Sequence, residues 1–109
     1  MNDGATMSKI MAQVPGVEFD MGCYWYDADI CVGGSPLKHS TALAYKQDGK
    51  WYLTPAGAFL VQIAFKLHYL VWNEGSGKWE SSPNGKWFMS SEDPAEAVLQ
   101  AACAVVERD

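Results

Sequence analysis

Four carboxylates and two phenols crowd into the short run from Glu18 to Asp29: Glu18, Asp20, Tyr24, Tyr26, Asp27 and Asp29. Around them the pattern has period two. Val17, Phe19, Met21, Cys23 and Trp25 alternate with Glu18, Asp20, Gly22, Tyr24 and Tyr26. Successive side chains of a strand point to opposite faces. One continuous strand would therefore present Glu18, Asp20, Tyr24 and Tyr26 together, with Asp27 and Asp29 following at once. Carboxylates beside exposed aromatics make a docking patch for a basic protein surface. A merely solvated outer face is the competing reading.

Other chemistry finds less support. The two histidines, His39 and His68, have no sequence neighbour that would orient either as a general base. Cys23, Cys31 and Cys103 are an odd number with no zinc-knuckle spacing. Asp27 and Asp29 offer two carboxylates where a hard cation wants more oxygen ligands. Gly75-Ser76-Gly77-Lys78 superficially matches a phosphate loop, but that loop needs a strand before it and a helix after it. Here both flanks read as strands. We expect no catalytic residue, no metal and no cofactor.

The 109 residues suit one domain, and a formal charge of −5 argues against direct binding of nucleic acid or anionic membrane. The opening "MNDGATMSKIMAQV" lacks a basic start followed by an apolar run. The longest apolar stretch is broken by Gln62, Lys66 and His68. We expect a cytoplasmic protein with reduced thiols.

The positioning elements follow from local signals. Residues 1–16 read as a flexible or short-helical segment, and 17–109 as a single domain. "DADICVGG" continues or bends the first strand. Asp48-Gly49 suits the two positive-φ positions of a type I′ hairpin turn, which pairs Lys46 with Trp51, Tyr45 with Tyr52 and Leu43 with Thr54. Residues 59–72 alternate without a miss from Phe59 to Val71 and are rich in β-branched and aromatic residues, so we read a long strand. A helical stripe at Leu60, Ile63, Ala64, Leu67 and Leu70, opened by Thr54-Pro55, competes with it. "EGSG" would pair Trp72 with Trp79, and Asn84-Gly85 would set Ser82 opposite Trp87. Asp93, Pro94 and Glu96 open a closing helix with an apolar stripe at Ala95, Val98, Leu99, Ala102, Val105 and Val106. The expected fold is α+β: a twisted antiparallel sheet of about 5–6 strands with the C-terminal helix on one face. Unprotected sheet edges would suit a monomer or a homodimer.

Two resemblances bear on function. "YKQDGKWYLTPAGAF" (residues 45 to 59) is similar to one unit of the choline-binding repeats of bacterial surface proteins. That family builds its ligand sites from aromatics of adjacent repeats. The other "GKW" copies, at 77–79 and 85–87, lack the trailing tyrosines and glycine turn, and all three read as β-turn exits. Length, acidic balance, antiparallel strands and the closing "DPAEAVLQAACAVV" helix resemble small proteins of bacteriophages and mobile elements, among them anti-CRISPR proteins. The resemblance implies action by binding, an acidic or aromatic face occluding a basic surface of a host nucleic-acid-binding complex. The leading expectation is therefore a non-enzymatic interaction protein. An alternative is a small-ligand domain or minor enzyme with an aromatic pocket lined by Trp25, Tyr45, Phe65 and His68. A third is carbohydrate or choline recognition by exposed, coplanar Trp51, Trp79 and Trp87.

Overall fold

In the computed structural model, Asp3 opens the first helix, α1 (Gly4–Ala12), by accepting a hydrogen bond from the Thr6 amide at 2.8 Å. That bond and the neighbouring amides hold the Asp3 carboxyl below its usual range. Met7, Ile10 and Met11 are buried along the helix, and Val14 follows into the core. The structure describes residues 3–32 and 35–108, without the side chains of 27–32, 35–39 and 108.

Four strands then run as an antiparallel meander: β1 (Val17–Asp20), β2 (Cys23–Val32), β3 (Ser35–Gln47) and β4 (Lys50–Leu53). The expected single strand through Trp25 is instead a hairpin. Met21 (φ 53°) and Gly22 (φ 79°) form a two-residue turn, and Asp20 pairs with Cys23. The unbroken alternation hid this turn: a two-residue turn pairs residue i with i+3, so odd and even positions exchange faces with no break in the sequence pattern. At the second hairpin Asp48 and Gly49 both take positive φ, and the pairs Tyr45–Tyr52 and Lys46–Trp51 form in the expected register. The Thr54 amide donates to the Leu43 carbonyl at 2.9 Å, in line with that register.

Between Tyr24 and Trp25 the β2–β3 register shifts, so Leu43 is the additional residue of a bulge. A bulge re-aims side chains, and both Leu43 and Ala44 are fully buried. The bulge also receives the second helix, α2 (Pro55–Ala64). Thr54 caps it: the Gly57 amide donates to Thr54 Oγ1 at 3.0 Å, and that hydroxyl donates to the Ala42 carbonyl at 2.6 Å. The long strand expected over 59–72 is thus a correction. Residues 55–64 are helical, Lys66 turns the chain with φ 52°, and only β5 (Tyr69–Asn73) keeps the extended conformation. The cap, proline at the helix start and the seat on the bulge outweigh β-propensity, which tertiary packing readily overrides. Gly57, Ala58 and Val61 are buried, while Phe59 and Ile63 stay exposed.

β5, β6 (Lys78–Ser82) and β7 (Met89–Ser91) form a second antiparallel sheet. Trp72 pairs with Trp79 as expected, their rings 5.6 Å apart edge to face. The expected pairing of Ser82 with Trp87 does not form, since β7 begins at Met89, opposite Ser81. Ser82 Oγ instead donates to the Trp87 carbonyl at 2.6 Å and accepts from the Gly85 amide at 2.7 Å. Asn84 Oδ1 accepts from the Lys86 amide at 2.9 Å. The connection is a side-chain-pinned loop rather than a tight turn.

The final helix, α3 (Pro94–Arg108), packs on β6, β7, β4, α1 and α2. Asp93 accepts from the Ala95 amide at 3.1 Å. Glu96 does not reach the Asp93 amide directly. Ser91 Oγ accepts from that amide at 3.2 Å and donates to Glu96 Oε2 at 3.3 Å. Of the expected stripe Ala95, Val98, Leu99, Ala102 and Val106 are buried and Val105 is half-buried, and Ala97 and Ala101 are fully buried as well, because α3 is enclosed on several sides. The fold is α+β, with seven antiparallel strands divided between two sheets and three helices among the described residues. One cluster of buried side chains joins the first sheet and all three helices, and partly buried Leu70 of β5 and Met89 of β7 pack the second sheet against it.

Candidate partner-binding face

The register of β1 and β2 decides which of the sequence-predicted residues meet. Val17 pairs with Tyr26 and Phe19 with Tyr24, so these four share one face. Glu18 pairs with Trp25 and Asp20 with Cys23, and they share the other. The expected grouping of Glu18 and Asp20 with Tyr24 and Tyr26 therefore does not form. Tyr24 and Tyr26 pack against the core instead. The Tyr24 ring lies 5.4 Å from the buried Trp51 and 4.8 Å from Phe19. The expected members Asp27 and Asp29 have side chains outside the described residues; their backbones pair with Ser40 and Lys38.

The aromatic partner of the carboxylates is Trp25. Glu18, Asp20, Met21, Trp25 and Ser40 line a shallow recess of about 230 Å³. The Trp25 indole N–H donates to the Asp20 carbonyl at 3.0 Å, which ties the ring to the hairpin and fixes its orientation. Glu18 and Asp20 are exposed, and Met21 at the tip is 90 % exposed. The cross-strand rule would have found Trp25, had the Met21-Gly22 turn been recognised: neither residue is the Asn or Asp that usually announces one.

The tip is conformationally costly. A left-handed backbone costs an L-residue without a locally bonding side chain about 1–2 kcal/mol, and Met21 adopts it while presenting its thioether to solvent. Local folding favours Asn, Asp or Gly at this place. An exposed apolar residue in an unfavoured backbone conformation thus sits beside the carboxylates of Glu18 and Asp20 at the hairpin tip.

The lining expected for a ligand pocket does not converge. Trp25 belongs to the recess just described, and Tyr45 stacks on Tyr52 at 5.6 Å. Phe65 caps α2, and His68 is exposed beyond it, against Gly85. Nor do the three tryptophans of the "GKW" copies form an exposed platform, since Trp51 is only 6 % exposed. Their glycines Gly49, Gly77 and Gly85 all have positive φ, and the first two lead directly into β4 and β6. Among the described residues, no three His, Cys, Asp or Glu side chains gather to hold a metal ion, and no helix is long and apolar enough to cross a membrane. Compared with family models, with curated proteins and with solved structures, the chain matches none.

Proposed function

We propose that the chain is a non-enzymatic interaction protein that docks on a basic surface of its partner through the β1–β2 hairpin. Glu18 and Asp20 supply charge, and Met21 and Trp25 supply apolar area. The observation that carries this reading is Met21, exposed at the hairpin tip in a conformation its side chain does not favour. An apolar centre rimmed by charge is the usual anatomy of a protein interface, and a chain of net charge −5 is steered toward basic partners. The resemblance to small phage proteins extends the reading to its finer form, an inhibitor of the anti-CRISPR kind that occludes a nucleic-acid-binding surface.

The test is affinity capture from bacterial lysate at low salt with the wild-type chain and the Glu18→Lys/Asp20→Lys variant. The expected result is a basic, nucleic-acid-binding partner that added duplex DNA or RNA displaces. The charge-reversed variant should retain at least about tenfold less of it, as for close charge pairs across an interface. Recovery of no partner, or equal recovery by both forms, would sink the reading.

A further inference from the structure

The first sheet runs in the order β1-β2-β3-β4, so β1 pairs with β2 on one side and, among the described residues, with no strand on the other. Its backbone groups divide accordingly. The turn at Met21-Gly22 has two residues, so Asp20 and Cys23, which flank it, exchange both ladder hydrogen bonds. Such pairs alternate along an antiparallel ladder. Glu18 therefore turns its N–H and C=O toward β2, as Asp20 does, whereas Val17 and Phe19 turn theirs to the free edge. The side chains alternate in the same step. Glu18 and Asp20 are exposed on one face; on the other, Val17 is half-buried and Phe19 is 59 % exposed. Phe19 also ends a row of rings. It lies 4.8 Å from Tyr24, which lies 5.4 Å from the buried Trp51 of β4. The row stops at the free edge with its last ring open to solvent.

We propose that this edge accepts a strand of the partner in which basic and apolar side chains alternate. The added strand runs antiparallel, as every pair in the sheet does, and bonds the outward N–H and C=O groups of Val17 and Phe19. Its apolar side chains fall on the face of Val17 and Phe19 and continue the row of rings. Its lysines or arginines fall on the face of Glu18 and Asp20, where unlike charges opposite one another stabilise a strand pair. A strand added to an open edge draws affinity from main-chain bonds and specificity from its alternate side chains. The same alternation disfavours a second copy as the occupant. Two β1 strands meeting antiparallel set carboxylate against carboxylate, and like charges directly opposite destabilise. The inference rests on the docking reading and adds to it Phe19, the open backbone and an extended, alternating partner segment.

The labelled, end-capped heptapeptide Lys-Val-Lys-Phe-Lys-Val-Lys, mixed with the full chain at low salt, tests it by fluorescence anisotropy. Two controls keep its charge. One has the block order Lys-Lys-Lys-Lys-Val-Phe-Val; the other keeps the alternation but is N-methylated at its apolar residues, whose N–H groups would face β1. The alternating peptide should bind saturably, with a Kd below about 1 mM. Both controls should bind at least about tenfold more weakly, and so should the alternating peptide to Phe19→Ser. At nine-tenths occupancy the Val17 and Phe19 amides should exchange hydrogen about tenfold more slowly, as read by nuclear magnetic resonance. Because the methyl groups are placed on the peptide, the folding of the chain is untouched. Equal binding of the N-methylated peptide, no binding of the alternating one, or unchanged exchange at Val17 and Phe19 overturns the proposal. The docking reading is then judged separately, by capture from lysate with the wild type and the charge-reversed variant.

Discussion

Gly57 and Met21 mark opposite pressures on single residues. A Cβ at Gly57 would overlap the Leu43 carbonyl, which is backbone and has nowhere to move. Gly57→Ala is therefore expected to cost about 3 kcal/mol in urea unfolding, although alanine is the better helix former. Met21→Asn should do the reverse, stabilising the hairpin by about 0.5–1 kcal/mol because Asn tolerates the left-handed conformation. The same change should weaken partner capture if Met21 is kept for contact. Cys103 gives a third residue-scale prediction. Burial, reinforced by the nearby Glu107, pushes its thiol from the usual 9.0 to about 11. The unfolded thiol ionises near 9.0 while the folded one keeps its proton, so this contribution is intact below pH 9 and is lost as pH rises toward 11. Relative to Cys103→Ala, the wild type should lose roughly 2 kcal/mol across that window. The native thiol should also resist alkylation at pH 8.

Elements here are held by side chains at their ends as much as by their own periodicity. Thr54 serves two of them, capping α2 while bonding the Ala42 carbonyl of the bulge. Ser82 does the same for the β6–β7 connection, where its fully buried hydroxyl bridges the Trp87 carbonyl and the Gly85 amide. Removing that hydroxyl takes away both of these hydrogen bonds at a fully buried position. Ser82→Ala should therefore destabilise by about 2 kcal/mol, with Ser90→Ala, at an exposed position on β7, as the near-neutral comparison. Chemical denaturation with tryptophan fluorescence checks both, because Trp87 lies within the affected loop.

At the scale of the molecule, α3 is the element on which the two sheets depend. It contacts β4 of the first and β5, β6 and β7 of the second, and its buried residues belong to one continuous core. Two sheets sharing one core should unfold together. Trp25 and Trp51 report on the first sheet and Trp72 and Trp79 on the second. Fluorescence of a Trp25→Phe/Trp51→Phe variant, which retains the second-sheet tryptophans, should therefore trace the same transition as far-UV circular dichroism. Two separated transitions would show that the sheets are independent units.

Much of this architecture is legible in the residues. Asp48-Gly49 announces its hairpin and register, Asp93-Pro94 the start of α3, and the turn-rich spacing an antiparallel α+β fold, because these signals act within a few residues. The proposed docking face was legible in composition but not in membership. Glu18 and Asp20 were visible, whereas their companion proved to be Trp25 rather than Tyr24 or Tyr26, since pairing across a turn sets a face and Met21-Gly22 gives no local sign of one. Residues 55–64 satisfied strand and helix patterns alike, and only their seat on the Leu43 bulge separated the two. The sequence by itself determined the turns and caps that carry a local signal, such as Asp48-Gly49 and Asp93-Pro94, and which residues favour burial. Tertiary packing decided what those turns bring together, because cross-strand register and helix–bulge contact join residues that no local pattern relates.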